Sequence, residues 1–214
     1  MLLKINSVPT GRKAPRTVRR QQLVDATISI LAAKGFSALT VADVARSAGL
    51  SVGIINFHFE SKDKLLSACL AYLADEYHRN WKRAFTTPNT TLAEKLQLVL
   101  LSDFEDHIFT REKHAAWIAF WGETQGRPTY EQICARQNGE HATTVENLCF
   151  ALIKDGKYGL EARSIMRIFE ALTDGLWLGN VPGKAVAGIS GSAPEARTAI
   201  LNTLVGFFPK HYPL

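Results

Sequence analysis

The sequence predicts an all-α protein: an N-terminal helix-turn-helix domain of three helices, followed by a larger C-terminal helical domain. Three observations carry that expectation. Apolar residues recur at three-to-four spacing through almost the whole chain, strand-like alternation is nearly absent, and N-cap residues recur with Gly or Pro punctuation between the periodic stretches. A chain of 214 residues can bury a real core, and 46% hydrophobic with 21% charged residues is a globular balance.

Residues 1–16 hold Pro9, Gly11 and Pro15 among scattered bases, the composition of a mobile basic arm. A first helix is predicted over 17–34, where Leu23, Ala26, Thr27, Ile30 and Leu31 share a face and Gly35 is a natural stop. Thr40 with Asp43 three residues later opens a short helix over 41–48, which Gly49 breaks. Ser51 is then expected to cap a second short helix to about residue 57, and Ser61 a long one over 62–85. Leu65, Leu66, Cys69, Tyr72 and Leu73 line one face of that fourth helix. Pro88 and Asn89 end it, and the capping box Thr91-Leu92-Ala93-Glu94 begins a helix expected to reach about residue 109. Helices follow over 113–123, 128–153 and 160–178. A glycine-rich loop over 179–191 leads to a last helix, opened by Ser192 and Glu195, that runs to about 208. The domain limits implied are 17–62 and 63–214, with the junction along the fourth helix.

Charge is unevenly placed. Residues 1–64 hold ten Lys and Arg against four acids, while the remaining 150 hold fifteen against sixteen. All of the positive excess thus sits in the N-terminal third, which fits either a solvated basic face or a module that binds a polyanion. No apolar run approaches the roughly 20 residues of a membrane span, and residues 1–10 lack the apolar core and cleavage site of a secretory leader. Cys69, Cys134 and Cys149 are odd in number, far apart and set among apolar residues, so they read as small buried hydrophobes rather than a metal or disulfide set. The expected compartment is the cytoplasm.

The densest motif runs from Leu39 to Phe59. Val41, Val44, Ala45 and Leu50 pack one short helix inward, and Gly49 supplies the positive φ of a tight inter-helix turn. The next helix is expected to present Ser51, Val52, Gly53, Ile55 and Asn56, small or polar enough for close approach to base edges in a major groove. With Gly53, Phe57-His58-Phe59 and then Ser61-Lys62-Asp63-x-Leu65-Leu66, this stretch resembles the TetR family of repressors over residues 17–66. The resemblance implies that Ser51, Val52, Ile55 and Asn56 face bases. It implies that Thr40, Phe57, His58 and Lys62 hold phosphates, with Asn56 where the family usually has Tyr. Arg12, Lys13, Arg16, Arg19 and Arg20 are placed to reach phosphates or the minor groove. Taken singly, His58 and Phe57 fit equally well as braces of the hinge to the fourth helix.

In the C-terminal half, Ala116-Trp117-Ile118-Ala119-Phe120-Trp121 sets two tryptophans four apart, and Asp174 and Trp177 stand three apart in Leu172-Thr173-Asp174-Gly175-Leu176-Trp177-Leu178. Tryptophans at helical spacing fit a plain core as well as a site. Both segments, and the Gly53-Ile54-Ile55 run, resemble the choline-responsive, betaine-pathway branch of the TetR family. That likeness implies a repressor of genes that convert choline to glycine betaine, released by choline. It makes Trp117, Trp121 and Trp177 an aromatic cage, with Asp174 as counter-charge and Phe104 adjoining. The chemistry agrees, because a quaternary ammonium donates no strong hydrogen bond and is held by aromatic faces and a carboxylate. A different cationic or aromatic amphiphile, such as a drug or acyl ligand, is the alternative. Ile165, Ile168, Phe169, Leu172 and Leu176, with Leu201, Leu204 and Phe208, form two apolar stripes. They suit either a monomer core or the four-helix bundle that pairs two subunits in this family. A dimer also follows from DNA geometry, since two recognition helices must stand about 34 Å apart. There is no phosphate-cradling glycine loop, no metal-ligand spacing and no nucleophile–base set, so neither a cofactor nor an enzyme is expected.

Overall fold

The computed structural model describes residues 15–179 and 192–213. Most of the basic arm, with Arg12 and Lys13, and nearly all of the glycine-rich loop lie outside them. The described residues form helices α1 (Arg16–Ala38), α2 (Val41–Ser47), α3 (Val52–Phe59), α4 (Lys62–Phe85), α5 (Leu92–Ser102), α6 (Arg111–Trp121), α7 (Pro128–Gly156), α8 (Ala162–Gly179) and α9 (Ala193–Phe207), with a single 3₁₀ turn at Thr124–Gly126. No strand occurs among them, and none of their helices is long and apolar enough to cross a membrane.

Local chemistry sets most boundaries. Thr40, Ser61, Thr110 and Ser192 each accept a backbone N–H three residues on, and Thr91 and Glu94 form a full capping box. Gly35 (φ 73°) breaks α1 and Gly49 (φ 63°) turns α2 toward α3, conformations that a Cβ makes costly.

Two local expectations fail. Ser51 takes the N-cap backbone conformation, but its hydroxyl makes no capping bond. The helix expected to reach residue 109 stops at Ser102 because neighbouring helices take the carbonyls at its end. Asn80 of α4 donates to the Ser102 carbonyl (2.7 Å), and Arg197 of α9 donates to that of Phe104 (2.6 Å from Nη2). Phe104 is turned into the core, fully buried against Phe109.

The N-terminal core, with Leu23, Val24, Leu31, Val44, Ala45, Ile55 and Phe59, continues without a break into that of the larger half through α4 and α6. The broadest helix–helix contact among the described elements is between α1 and α6. Helix α6 of the larger half therefore lies directly on the first helix of the N-terminal module. The two C-terminal stripes divide: Ile165, Phe169, Leu204 and Phe208 are buried within the chain, whereas Ile168 and Leu201 face outward.

Candidate functional site

The N-terminal face is built on α3. Ser51, Val52, Gly53, Asn56 and Phe57 are exposed there. Ile55 is not: it is 1% exposed, while Ile54 faces out at 36%. The reason is helical phase. Ile55 and Phe59 stand one turn apart on the side that packs into the core, which rotates Ile54 to the outer face. At Gly53 an added Cβ would meet only the Ser51 hydroxyl, at 3.8 Å, so nothing inside the protein requires glycine there.

The arginines that open α1 lean on the aromatic end of α3. Arg16 lies 5.5 Å from the Phe57 ring centroid and Arg20 lies 5.1 Å from that of Phe59. Arg19 donates to Gln22 (2.8 Å). His58 is half-buried, and burial, followed by the charges of Arg16 and Arg20, lowers its pKa. The Thr40 hydroxyl is engaged at the start of α2 with Asp43. Lys62 donates to the Leu39 carbonyl (2.6 Å), tying α4 to the α1–α2 link.

The second site is a cavity of about 300 Å³ between α4, α5, α6, α7 and α8. Trp117 and Trp121 form one wall, their centroids 6.1 Å apart, and Trp177 with Asp174 and Glu170 another. Trp177 is held from behind by His114, centroid to centroid 4.1 Å. Four of the five residues expected at the ligand site therefore come together. Phe104 does not, because it is consumed in the core turn after α5.

Sequence reasoning left out Tyr77 of α4, His141 of α7 and Glu170. Glu170 had a signal, being one helical turn before Asp174. Tyr77 and His141 had none, since they come from separate helices, 40 and 20 residues from the expected lining side chains nearest in sequence, Trp117 and Trp121.

Among the described residues the lining holds three carboxylates, Asp103, Glu170 and Asp174, and no Lys or Arg. Burial raises the pKa of Asp174, and burial with the nearby Asp174 raises that of Glu170. Burial presses both His114 and His141 down to about 4, so each is a neutral imidazole near neutral pH. The chamber is aromatic and acidic, suited to an organic cation.

A cluster at this same C-terminal end of α6 joins the two halves. Phe36 of α1 meets Phe120 of α6 (6.1 Å) and Tyr130 of α7 (6.3 Å) edge-on. Arg127 lies over Phe36 and Tyr130 and donates to Asp63, at the start of α4, over 2.9 Å.

Comparison with known proteins agrees with this geometry. Residues 23–69 match the family described as bacterial regulatory proteins, tetR family, and residues 92–200 match the BetI-type transcriptional repressor C-terminal domain. A protein of Serratia proteamaculans named HTH-type transcriptional regulator BetI is 33% identical over 75% of this chain and 80% of its own. A protein of the same name from Burkholderia thailandensis is 30% identical over 76% and 82%. Among solved structures, a putative transcriptional regulator from Pseudomonas aeruginosa PAO1 superposes with TM-score 0.75, 22% identity and coverage of 96% of this chain and 97% of that one. A putative transcriptional regulator from Saccharomonospora viridis, solved in complex with choline, gives TM-score 0.72 at 20% identity, covering 89% and 96%.

Proposed function

The chain belongs to the TetR family of bacterial regulatory proteins and is a BetI-type transcriptional repressor, and from that premise we propose which residues serve its two sites. As a member of that family it binds operator DNA and a small-molecule ligand.

On the DNA side, Ser51, Val52, Gly53, Ile54 and Asn56 read base edges. Arg16, Arg19, Phe57 and His58 position the duplex backbone, with Thr40 and Lys62 at its margin. The three-helix module closes at about residue 62, and α4 carries the chain into the ligand half. Two copies act together through the outward faces of α8 and α9, where Ile168 and Leu201 lie exposed in a single chain. That pairing sets the half-site spacing.

On the ligand side, the inducer is choline or a close quaternary amine, and the regulated genes serve the choline-to-glycine-betaine conversion. The observation that carries this reading is the cavity itself: three tryptophan faces with Glu170 and Asp174 and no basic residue among the described lining residues. A charged, acid-lined chamber suits an organic cation better than a neutral acyl chain. Ligand seated against Trp117 and Trp121 acts on α6. Because α6 lies along α1 and ends at the Phe36–Phe120–Tyr130 cluster, a shift of α6 favours a spacing of recognition helices that no longer fits DNA.

The test selects high-affinity duplexes from a random pool with the purified chain, then measures their affinity with and without choline. A fall on adding choline supports the reading. Unchanged affinity at saturating choline overturns the inducer.

A further inference from the structure

One group in the chamber has more to do than balance a charge. Asp103 is 1% exposed. The Tyr77 hydroxyl donates to its Oδ2 over a long 3.4 Å, and its Oδ1 has no hydrogen-bond partner among the described residues. A buried carboxyl oxygen left without a hydrogen-bond partner is costly and uncommon. The groups that face the cavity beside it are Tyr77 from α4, neutral His141 from α7, Glu170 and Asp174 from α8 and the tryptophans of α6. None of these supplies a positive charge, and Asp103 lines the cavity with an oxygen that no described residue satisfies.

We infer that Asp103 accepts a hydrogen bond from the ligand itself, so that the site takes a small onium cation whose short arm ends in a hydroxyl or N–H donor. The inference rests on the chamber being a cation site. The onium group sits among Trp117, Trp121 and Trp177, and the arm reaches Asp103. An arm that ends in a carboxylate meets the acids Glu170 and Asp174 with no Lys or Arg among the described lining residues, and is disfavoured. Burial, with the charge of Asp174 behind it, pushes the Asp103 carboxyl up to about 8. Near neutral pH it is therefore mostly protonated before ligand arrives. A bound cation favours the carboxylate, and the Asp103 proton passes to solvent as the complex forms.

Calorimetry on the full chain near neutral pH, in two buffers of different ionisation enthalpy, reads the protons released per choline bound. The expected result is close to one proton. Choline should also bind about tenfold or more tighter than tetramethylammonium, which lacks the donor, and glycine betaine should bind far more weakly than choline. In Asp103→Asn the proton release should vanish and the preference for choline over tetramethylammonium should collapse. Absence of proton release from the wild-type chain, or a choline preference that survives in Asp103→Asn, overturns the role of Asp103. The wild-type measurement decides even where the variant fails to fold. If neither choline nor tetramethylammonium binds the wild-type chain, the cation reading falls and takes this inference with it. If choline binds, is lost in Trp117→Leu and is unaffected in Asp103→Asn, only the Asp103 role falls.

Discussion

Arg127, at the start of α7, donates from Nη1 to Oδ1 of Asp63 in the first turn of α4, 2.9 Å away, while its guanidinium covers Phe36 and Tyr130. A single side chain thus bridges the ligand half to the helix that carries α3. Asp63 is largely exposed, so the ion pair itself adds little stability, within about 1 kcal/mol. Arg127→Ala should lower Tm by no more than about 2–4 °C and leave choline affinity unchanged. It should weaken the choline-induced loss of operator affinity, measured by fluorescence anisotropy. A variant that responds to choline like the wild type would show that the bridge transmits nothing.

Trp117→Leu and Trp177→Leu should each weaken choline binding by about 30-fold, the equivalent of one desolvated cation–π contact of about 2 kcal/mol. Affinity for operator in the absence of ligand should stay close to wild type. Titration calorimetry measures the first effect and anisotropy the second.

Ile54 and Ile55 are adjacent and should behave oppositely. Ile55→Ala, in the core, should cost about 2–5 kcal/mol of folding stability in urea denaturation. Ile54→Ala should leave stability within about 0.5 kcal/mol and lower affinity for the selected operator. Equal stability losses for the two would contradict the phase of α3.

Arg16→Ala should weaken binding to every duplex by a similar factor and reduce the slope of log affinity against log salt by about 1, as loss of one phosphate contact requires. A loss confined to one duplex sequence would assign Arg16 to base reading instead.

Stability should depend on pH with a maximum near 6.5. His114 and His141, held near 4 when folded against 6.5 when exposed, make the unfolded chain the stronger proton binder between those values, so they raise stability as pH rises. Asp103, at about 8 folded against 3.8 exposed, makes the folded chain the stronger binder over that range, so it lowers stability as pH rises. Two histidines outweigh one aspartate below about 6.5, and above it the Asp103 contribution becomes the larger, at most about 1.4 kcal/mol per pH unit. The raised Glu170 and Asp174 act in the same sense as Asp103. Urea denaturation across pH 5 to 8 should trace this rise and fall. Asp103→Asn should flatten the upper limb.

Much of this protein was legible from its residues alone. The helical class, the capping residues at 40, 61, 91 and 192, the turn at Gly49 and the basic N-terminal third all follow from interactions within a few residues or from composition. The pairing of Trp117 with Trp121 and of Asp174 with Trp177 follows from helical spacing in the same way. Such features are encoded where they occur, because backbone capping, φ preference and helical phase are short-range physics.

The tertiary structure decided the rest. Helical spacing says that Ile54 and Ile55 point apart, but only the packing of α3 on its core says which one is buried. The end of α5 at Ser102 depends on Asn80 and Arg197, residues that lie 22 positions before Ser102 and 93 after Phe104 in the chain. Their hold on two carbonyls turns Phe104 away from the cavity and leaves Asp103 in its wall. Tyr77 and His141 reach the same cavity from separate helices. A buried site is assembled by contacts between distant segments, and its dielectric, which sets the protonation of Asp103 and of both histidines, exists only after those segments have excluded water.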